Sequence, residues 1–219
     1  MHINALEELI SDYLSGFVSE KTIARDELTI VIPREHLLHC MQVLRDANHL
    51  AFDMLLDVCG VDYLLYGIDE WQTYSATATG FERGVERQAI PKRDTPRFGV
   101  VYHLLSIKHN HRVRVKVLLE EADLYLPSVI NLWPSANWFE REAFDLFGII
   151  FSGHPDLRRL LTDYGFIGHP FRKDFPLIGE VEARYDAHAK RVVYEPVSIE
   201  PRVLEPKVIR RDNRYEVGE

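Results

Sequence analysis

Two histidines and two aspartates cluster in the sequence after residue 150, namely His154, Asp156, Asp163 and His169. Imidazole and carboxylate groups can ligate zinc or act as general acids and bases. Each histidine, however, precedes a proline in a repeated Gly-His-Pro phrase, and the helical HExxH spacing is absent. We therefore favour histidines that bond to backbone or carboxylate groups in turns. A free-standing metal-dependent enzyme that uses His154, Asp156 and His169 stays open as the alternative.

A second charged group, Glu140-Arg141-Glu142 with Asp145, lies among large aromatic side chains. Two carboxylates could serve catalysis, but ions beside apolar groups are stable when they are paired or hydrogen-bonded. The same residues can form a network at the start of a helix. In this interpretation Asn137 caps the helix, Glu140 reaches back as in a capping box, and Arg141 pairs with Asp145 four positions later. We favour this structural network.

Periodicity predicts the elements that position these groups. Apolar residues at helical spacing predict a helix over residues 3–16, and Pro33 suits the start of a second one. Gly148 suits the end of the central helix, which begins near residue 137. The sequence RVRVKVLL alternates strictly, so Val113, Val115 and Val117 are expected to face the core. Strands are predicted at 27–32, within 51–65, and at 98–107 and 112–119, with His109 and His111 in the solvated turn of the last hairpin.

Two stretches lack such periodicity. Residues 68–95 are polar and rich in Thr, Gly and charge, and we read them as a long variable loop. After Asp174 the pattern fades again, and Pro196, Pro201 and Pro206 recur among mixed charges. Prolines remove backbone donors and restrict φ, so residues 176–219 are expected to form an extended tail that orders on a partner.

Composition excludes several classes of protein. The chain has 219 residues, is 46% hydrophobic and carries a formal net charge of −8, which argues against a dedicated nucleic-acid binder. It has two cysteines, Cys40 and Cys59, whereas an iron–sulfur cluster normally takes four thiolates. We expect both to be buried reduced thiols. Phosphate-binding loops of the GxGxxG and GxxxxGK[ST] types and the GxSxG nucleophile elbow are absent from the sequence.

These residues carry a resemblance to a known family. Glu140-Arg141-Glu142, Asp145-Leu146-Phe147, His154, Arg158 and Leu160-Leu161 resemble the signature of the thirty-kilodalton or C-type subunit of NADH:quinone oxidoreductase, the respiratory complex I. The resemblance continues over Leu160–Asp186 and Arg191–Val197, and includes Cys59–Tyr63 and Tyr102–Val117. It covers most of the chain outside residues 64–96, and the combined motif is highly specific.

The resemblance implies an α+β fold. We expect a single globular domain at residues 1–175, with a mixed or antiparallel sheet and flanking helices, followed by the extended tail at 176–219. It also implies a non-catalytic structural and assembly subunit that holds no cofactor of its own. FMN, iron–sulfur clusters, NADH and quinone are then bound by other subunits of the complex, which couples electron transfer to ion translocation.

Partners and location follow from the same resemblance. The expected partners are hydrophilic-arm subunits, especially the D-type (forty-nine-kilodalton) subunit of the quinone pocket and the B-type subunit, with membrane association through them and no nucleic acid. The expected location is the cytoplasmic face of the bacterial inner membrane, or the matrix side of the mitochondrial one. The equivalent subunit of a related membrane hydrogenase or of another electron-input complex stays open as an alternative. The residues expected to form a structural network or partner contacts are Glu140, Arg141, Glu142, Asp145, His154, Arg158, His169, Arg172, Lys173 and Asp174.

Overall fold

The fold is described by a computed structural model over residues 3–67, 76–77, 80–81 and 95–199. These residues divide into two units, one within 1–64 and 93–175 and the other within 65–92 and 176–219. The predicted loop at 68–95 and the tail beyond residue 199 lie almost wholly outside the described residues. The helices are α1 (Ile3–Tyr13), α2 (Leu37–Asp46) and α3 (Ala136–Phe147). The strands are β1 (Glu20–Ala24), β2 (Glu27–Val31), β3 (Met54–Asp62), β4 (Ala76–Thr77), β5 (Gly80–Phe81), β6 (Phe98–Ser106), β7 (His111–Leu119), β8 (Tyr125–Pro127), β9 (Ile150–Ser152), β10 (Val181–Asp186) and β11 (Arg191–Pro196).

The first unit is built on a five-stranded sheet in the order β1-β2-β7-β6-β3. The β2–β7 pair is parallel and the other three pairs are antiparallel, so the sheet is mixed, as expected. Val113, Val115 and Val117 of β7 are buried, which confirms the alternation read from the sequence. Together with the flanking helices, this sheet confirms the α+β class.

Two helices cover this sheet with side chains spaced by one turn. Leu6 and Ile10 of α1 are buried, and α2 buries Leu37, Met41 and Cys40. The prediction of a buried Cys40 is confirmed, and burial raises the pKa of its thiol to about 11. Cys59, on β3, is only half-buried, so the prediction of a buried thiol was wrong at this position.

The tip of the β6–β7 hairpin differs from its prediction at one residue. His111 is the first residue of β7 and is 7% exposed, so its placement in a solvated turn was wrong. Its Nε2 lies 3.0 Å from the Leu50 carbonyl oxygen, and the ring packs against Phe52. His109 Nε2 lies 2.8 Å from the Asn48 carbonyl oxygen. These long-range backbone partners explain why a local turn pattern misplaced His111.

Helix α3 packs closely on β3. A Cβ atom at Gly60 would lie 2.5 Å from Cδ2 of Phe147, so a glycine at this point of β3 admits the aromatic ring. The helix ends at Gly148, which has φ +79° in the left-handed region. The predicted helix terminator is therefore confirmed.

In the second unit, β10 and β11 form an antiparallel hairpin. The sequence predicted extended backbone here but not the pairing of the two strands. Tyr185 faces Val192 across the hairpin, and Ala183 faces Tyr194.

Candidate functional site

The candidate site comprises helix α3 and the loop that follows it, residues 153–175, which we call the post-helix loop. The start of α3 differs from the prediction. The helix begins at Ala136, its N-cap residue is Ser135 without a side-chain capping bond, and Asn137 lies inside the first turn. The predicted Asn137 cap and its capping box with Glu140 were therefore wrong.

Glu140 instead points into the core and is fully buried. Its Oε2 accepts a hydrogen bond from Ser128 Oγ at 2.6 Å, and its Oε1 accepts one from the Val129 backbone N–H at 2.8 Å. Burial raises the pKa of Glu140 to about 7 despite these two bonds, because they only partly replace the lost hydration. Tyr102 is also buried, and its burial, together with the charge of Glu140, raises the pKa of its hydroxyl. Within the part of the chain that the structure describes, this hydroxyl has no hydrogen-bond partner.

This burial makes a pH-dependent prediction for Glu140→Gln. The folded-state pKa of Glu140 lies above its ordinary value near 4.5, so the unaltered chain loses stability as pH rises from about 4.5 to about 7, and no more above that. Glutamine keeps the acceptor for Val129 but never ionises. In urea titrations, the variant should gain roughly 3 kcal/mol in free energy of unfolding relative to the unaltered chain across this window. A constant difference between pH 4 and 8 would contradict the raised pKa.

Arg141 is also buried, but it does not pair with Asp145, so that predicted ion pair was wrong. Its Nε donates to the Arg158 carbonyl oxygen and its Nη2 to the Arg159 carbonyl oxygen, each at 3.2 Å. The guanidinium therefore ties α3 to the backbone of the post-helix loop.

Arg141→Ala should lower the free energy of unfolding of the isolated chain by about 1–3 kcal/mol, because two part-buried carbonyl groups of the post-helix loop lose a charged donor. Arg158→Ala is the matched control. Arg158 is exposed and pairs with Asp156 at 2.8 Å, so its replacement should lower the free energy of unfolding far less, because exposed ion pairs contribute little to stability. Equal losses in the two variants would show that the Arg141 bonds contribute little.

Asp145 is the centre of the site. Its fully buried carboxylate accepts backbone N–H bonds at Oδ2 from Leu160 at 3.0 Å, Leu161 at 2.7 Å and Thr162 at 2.8 Å. Its Oδ1 accepts the Thr162 hydroxyl at 2.5 Å and Arg159 Nη1 at 2.9 Å. Burial alone would raise the pKa of Asp145, but these donors outweigh it and hold the pKa well below its ordinary value.

Arg159 extends this centre along the loop. Its Nη1 also donates to Thr162 Oγ1, and its Nη2 donates to the Gly168 carbonyl oxygen at 3.0 Å. The guanidinium carbon lies 5.8 Å from the centroid of the Phe166 ring. One side chain therefore links the carboxylate to two further points of the loop.

The loop also completes the end of helix α3. The last carbonyl groups of a helix lack partners within the helix, and here three of them bond to side-chain or backbone groups of the loop. The pairs are His169 Nδ1 with the Asp145 oxygen at 2.9 Å, the Phe171 N–H with the Leu146 oxygen at 3.1 Å, and Arg172 Nε with the Phe147 oxygen at 2.7 Å. Because His169 Nδ1 faces a carbonyl oxygen, it carries the proton. Burial lowers the pKa of His169, which favours the neutral ring.

His154 has a comparable structural role. Its Nε2 lies 3.1 Å from the Asn137 carbonyl oxygen, and its Nδ1 accepts the Asp156 backbone N–H at 3.1 Å. Both predicted turn histidines thus bond to the backbone. Among the described residues, no three His, Cys, Asp or Glu side chains come together as a group that could hold a metal ion.

A second buried ion centre was missed by the sequence analysis. Arg97 donates to both oxygens of Asp62, at 2.9 and 3.0 Å, and also contacts Glu121 at 2.5 Å and Asp174 at 3.0 Å. The Lys173 backbone N–H donates to Asp62 Oδ2 at 2.9 Å. Burial would raise the pKa of Asp62, but Arg97 and the backbone donors lower it. An acid at the end of the mostly apolar β3 was the signal available in the sequence.

The remaining predicted residues are more exposed to solvent than Asp145 and Asp62. Glu142 is half-buried, while Arg158 and the Lys173 side chain are exposed. Several large apolar side chains of this region also face outward. Their exposed fractions are 65% for Trp138, 61% for Leu161, 93% for Tyr164, 74% for Ile167 and 57% for Phe171. The region therefore combines internally bonded ions with an apolar exterior, as a contact surface does.

Comparison with known proteins identifies the family. Residues 30–181 match the family described as respiratory-chain NADH dehydrogenase, 30 kDa subunit. The chain belongs to this thirty-kilodalton subunit family. A relative from Legionella pneumophila (strain Philadelphia 1), named as the C subunit of NADH-quinone oxidoreductase, is 61% identical over 212 residues, which cover 96% of this chain and 93% of the relative. The relative of the same name from Coxiella burnetii (strain Dugway 5J108-111) is 58% identical over 218 residues, which cover 98% of this chain and 96% of the relative.

Solved structures support the same assignment. A structure described as Nqo5 of the trypsin-resistant fragment (1-134) is 33% identical, with a TM-score of 0.51, and covers 69% of this chain and 98% of that one. A chain of the membrane-bound sulfane sulfur reductase, an archaeal respiratory membrane complex, has a TM-score of 0.52 at 19% identity and covers 80% of this chain and 87% of that one, which shows a shared fold alone. The resemblance to the thirty-kilodalton family is thus confirmed, and the chain is one of the subunits of an NADH:quinone oxidoreductase. No helix among the described residues is long and apolar enough to cross a membrane.

Proposed function

We propose that this chain is a non-catalytic structural and assembly subunit of the hydrophilic arm. In this role it presents the post-helix loop and the tail at 176–219 to neighbouring subunits, chiefly the D-type subunit of the quinone pocket and the B-type subunit. It supports electron transfer from NADH to quinone by keeping those neighbours in position, because quinone docking requires a rigidly held pocket. Its place is the cytoplasmic face of the bacterial inner membrane, to which it is held through its partners.

The Asp145 centre is the observation that carries this proposal. Catalytic carboxylates need a proton or a reacting atom within reach, whereas Asp145 is fully buried and occupied by Leu160, Leu161, Thr162 and Arg159. The charged groups of the family signature are thus used to order a loop that has no helix or strand of its own. Ordering such a loop leaves its apolar side chains, Tyr164 above all, available to a partner.

The composition and the relatives also support this role. Cys40 and Cys59 are fewer than the four thiolates of an iron–sulfur cluster, so we assign FMN, iron–sulfur clusters, NADH and quinone to other subunits. The solved fragment of the relative Nqo5 is described as trypsin-resistant. By analogy, we expect the first unit of this chain to fold without partners and the tail to become protected on assembly.

The test uses the purified full chain together with membranes depleted of it. Alone, the chain should contain no stoichiometric iron or flavin and should neither oxidise NADH nor reduce quinone. Depletion should reduce membrane NADH:quinone activity to background, while NADH oxidation by an artificial acceptor persists in part through the flavin subunits. Re-expression of the chain is the control and should restore quinone reduction. Stoichiometric metal or flavin in the isolated chain, or turnover without partners, would overturn the structural role.

A further inference from the structure

The β10–β11 hairpin has one wholly apolar face. Every second cross-strand pair of the hairpin is apolar, and alternate pairs share one side of a strand pair. The apolar pairs are Val181–Pro196, Ala183–Tyr194 and Tyr185–Val192. All six of these residues are solvent-accessible. The exposed fractions of the four larger ones are 54% for Val181, 62% for Tyr185, 55% for Val192 and 61% for Tyr194.

The opposite face is mostly polar and internally bonded. Arg184 pairs with Glu195 across the strands, with Nε 2.5 Å from Oε1, and Ser198 Oγ donates to Glu182 Oε1 at 2.8 Å. Hydrophobic and charged residues are therefore sorted between the two sides. Such sorting is expected of a strand pair with one side against an apolar surface and the other in water.

The apolar face also bears on the stability of the hairpin. A two-stranded hairpin is marginally stable alone, and becomes stable when a hydrophobic face packs on another element. The four larger side chains of the face are each more than half exposed, and contiguous exposed patches of this kind mark interaction sites. Burial of this face would therefore stabilise the hairpin.

The size and charge of the face select its occupant. The face consists of six residues, whereas each partner in a stable interface contributes about 20–30, so this face alone is too small to hold two copies of the chain together. Residues 180–196 contain four acids and three bases, without the basic excess that membrane-surface elements use. The face instead suits one part of a larger contact within a multi-subunit assembly.

We infer that this face docks on an uncharged apolar surface of another protein subunit of the NADH:quinone oxidoreductase, with Tyr185 and Tyr194 as its anchors. The inference rests on the proposed function. It further specifies the side of the tail that makes the contact. Tyrosine is enriched among residues that dominate binding energy, since it buries a large ring at little conformational cost. The Arg184–Glu195 side then faces water in the assembled complex.

Two matched double variants test this orientation. Tyr185→Thr with Val192→Thr alters one cross-strand pair of the apolar face, and Arg184→Thr with Val193→Thr alters the adjacent pair of the opposite face. Threonine has good strand propensity, so both variants retain hairpin-compatible sequences. Each tagged chain replaces the natural one in cells, and its recovery with the membrane oxidoreductase is measured relative to its amount in the lysate. We expect recovery to fall about tenfold for the apolar-face variant and less than about twofold for the control.

A photo-cross-linker in place of Val181 gives an independent measurement. It should form a covalent product with another subunit of the oxidoreductase. Equal recovery of both double variants, or a cross-link to a second copy, to lipid or to the first unit of the same chain, would overturn the inference. If the unaltered chain itself failed to co-purify with the oxidoreductase, the proposed function would fail as well. Normal recovery of the unaltered chain with equal recovery of both variants would refute the hairpin orientation alone.

Discussion

Replacing Asp145 with asparagine is expected to lower the free energy of unfolding of the isolated chain by about 3–5 kcal/mol, a loss typical of broken buried ion networks. The uncharged amide would accept the backbone N–H groups of Leu160, Leu161 and Thr162 weakly, and its own N–H groups would crowd them. Arg159 would also lose its buried partner. We therefore expect the post-helix loop to become protease-sensitive and the amount of assembled oxidoreductase to fall with it.

The loss should depend on pH with a defined sign. The pKa of Asp145 is depressed in the folded chain, so its contribution to stability is fully present above the ordinary value near 4 and is lost as pH falls below it. The difference between the unaltered chain and Asp145→Asn should thus be constant from about pH 5 to 8 and should shrink in acid.

Asp156→Asn is the matched control for this variant. Asp156 is an exposed aspartate of the same loop whose partner is the exposed Arg158, so its replacement should lower the free energy of unfolding far less than Asp145→Asn does. If chemical denaturation gave similar losses for both aspartates, the carboxylate centre would not be what orders the loop.

Replacing Arg97 with methionine should cost a similar 3–5 kcal/mol, because it leaves the fully buried Asp62 carboxylate without a cation. The backbone donors Leu64 and Lys173 would remain, and they replace only part of the lost interaction. The unpaired carboxylate should then take up a proton more readily. The variant should consequently recover stability, relative to the unaltered chain, as pH is lowered from 7 towards 5.

A double variant separates the cost of the unpaired charge from that of lost packing. Arg97→Met combined with Asp62→Asn removes both charges, so it should be more stable than Arg97→Met alone. Arg34→Met is the control, since Arg34 forms a surface pair with Asp123 and its replacement should lower the free energy of unfolding far less than Arg97→Met does. A double variant as unstable as the sum of its two single variants would argue that the pair is not energetically coupled.

Rules based on local sequence correctly predicted the structural features that depend on residues close together in the chain. Strict alternation located β7, and Gly148 located the end of α3, because strand faces and left-handed helix ends are determined within a few residues. The β1 strand was missed because Glu20–Ala24 is wholly exposed, and an exposed edge strand has no apolar alternation to detect. The β10–β11 pairing was missed because its apolar residues were read among prolines.

The hydrogen-bond partners within the site were not predicted from the sequence, for a different reason. Partners for Arg141 and Asp145 were sought one helical turn away, where spacing can be read directly. In the folded chain, Asp145 instead bonds to residues 14 to 17 positions later, and Asp62 to Arg97 and Lys173, which lie 35 and 111 positions away. Such pairs depend on how loops close over the sheet, which periodicity does not report.

The end of helix α3 has a consequence for synthesis on the ribosome. Its last carbonyl groups accept hydrogen bonds from residues that lie up to 25 positions later in the chain, and Arg172 is the last of these donors along the chain. Chains emerge N-terminus first, so the sheet can begin to fold while the helix end is still open. The loop can close only after Arg172 has left the ribosome, and a prematurely terminated chain that ends before it cannot present the finished loop. An unfinished copy of this kind would therefore lack the loop surface that we propose contacts the neighbouring subunits.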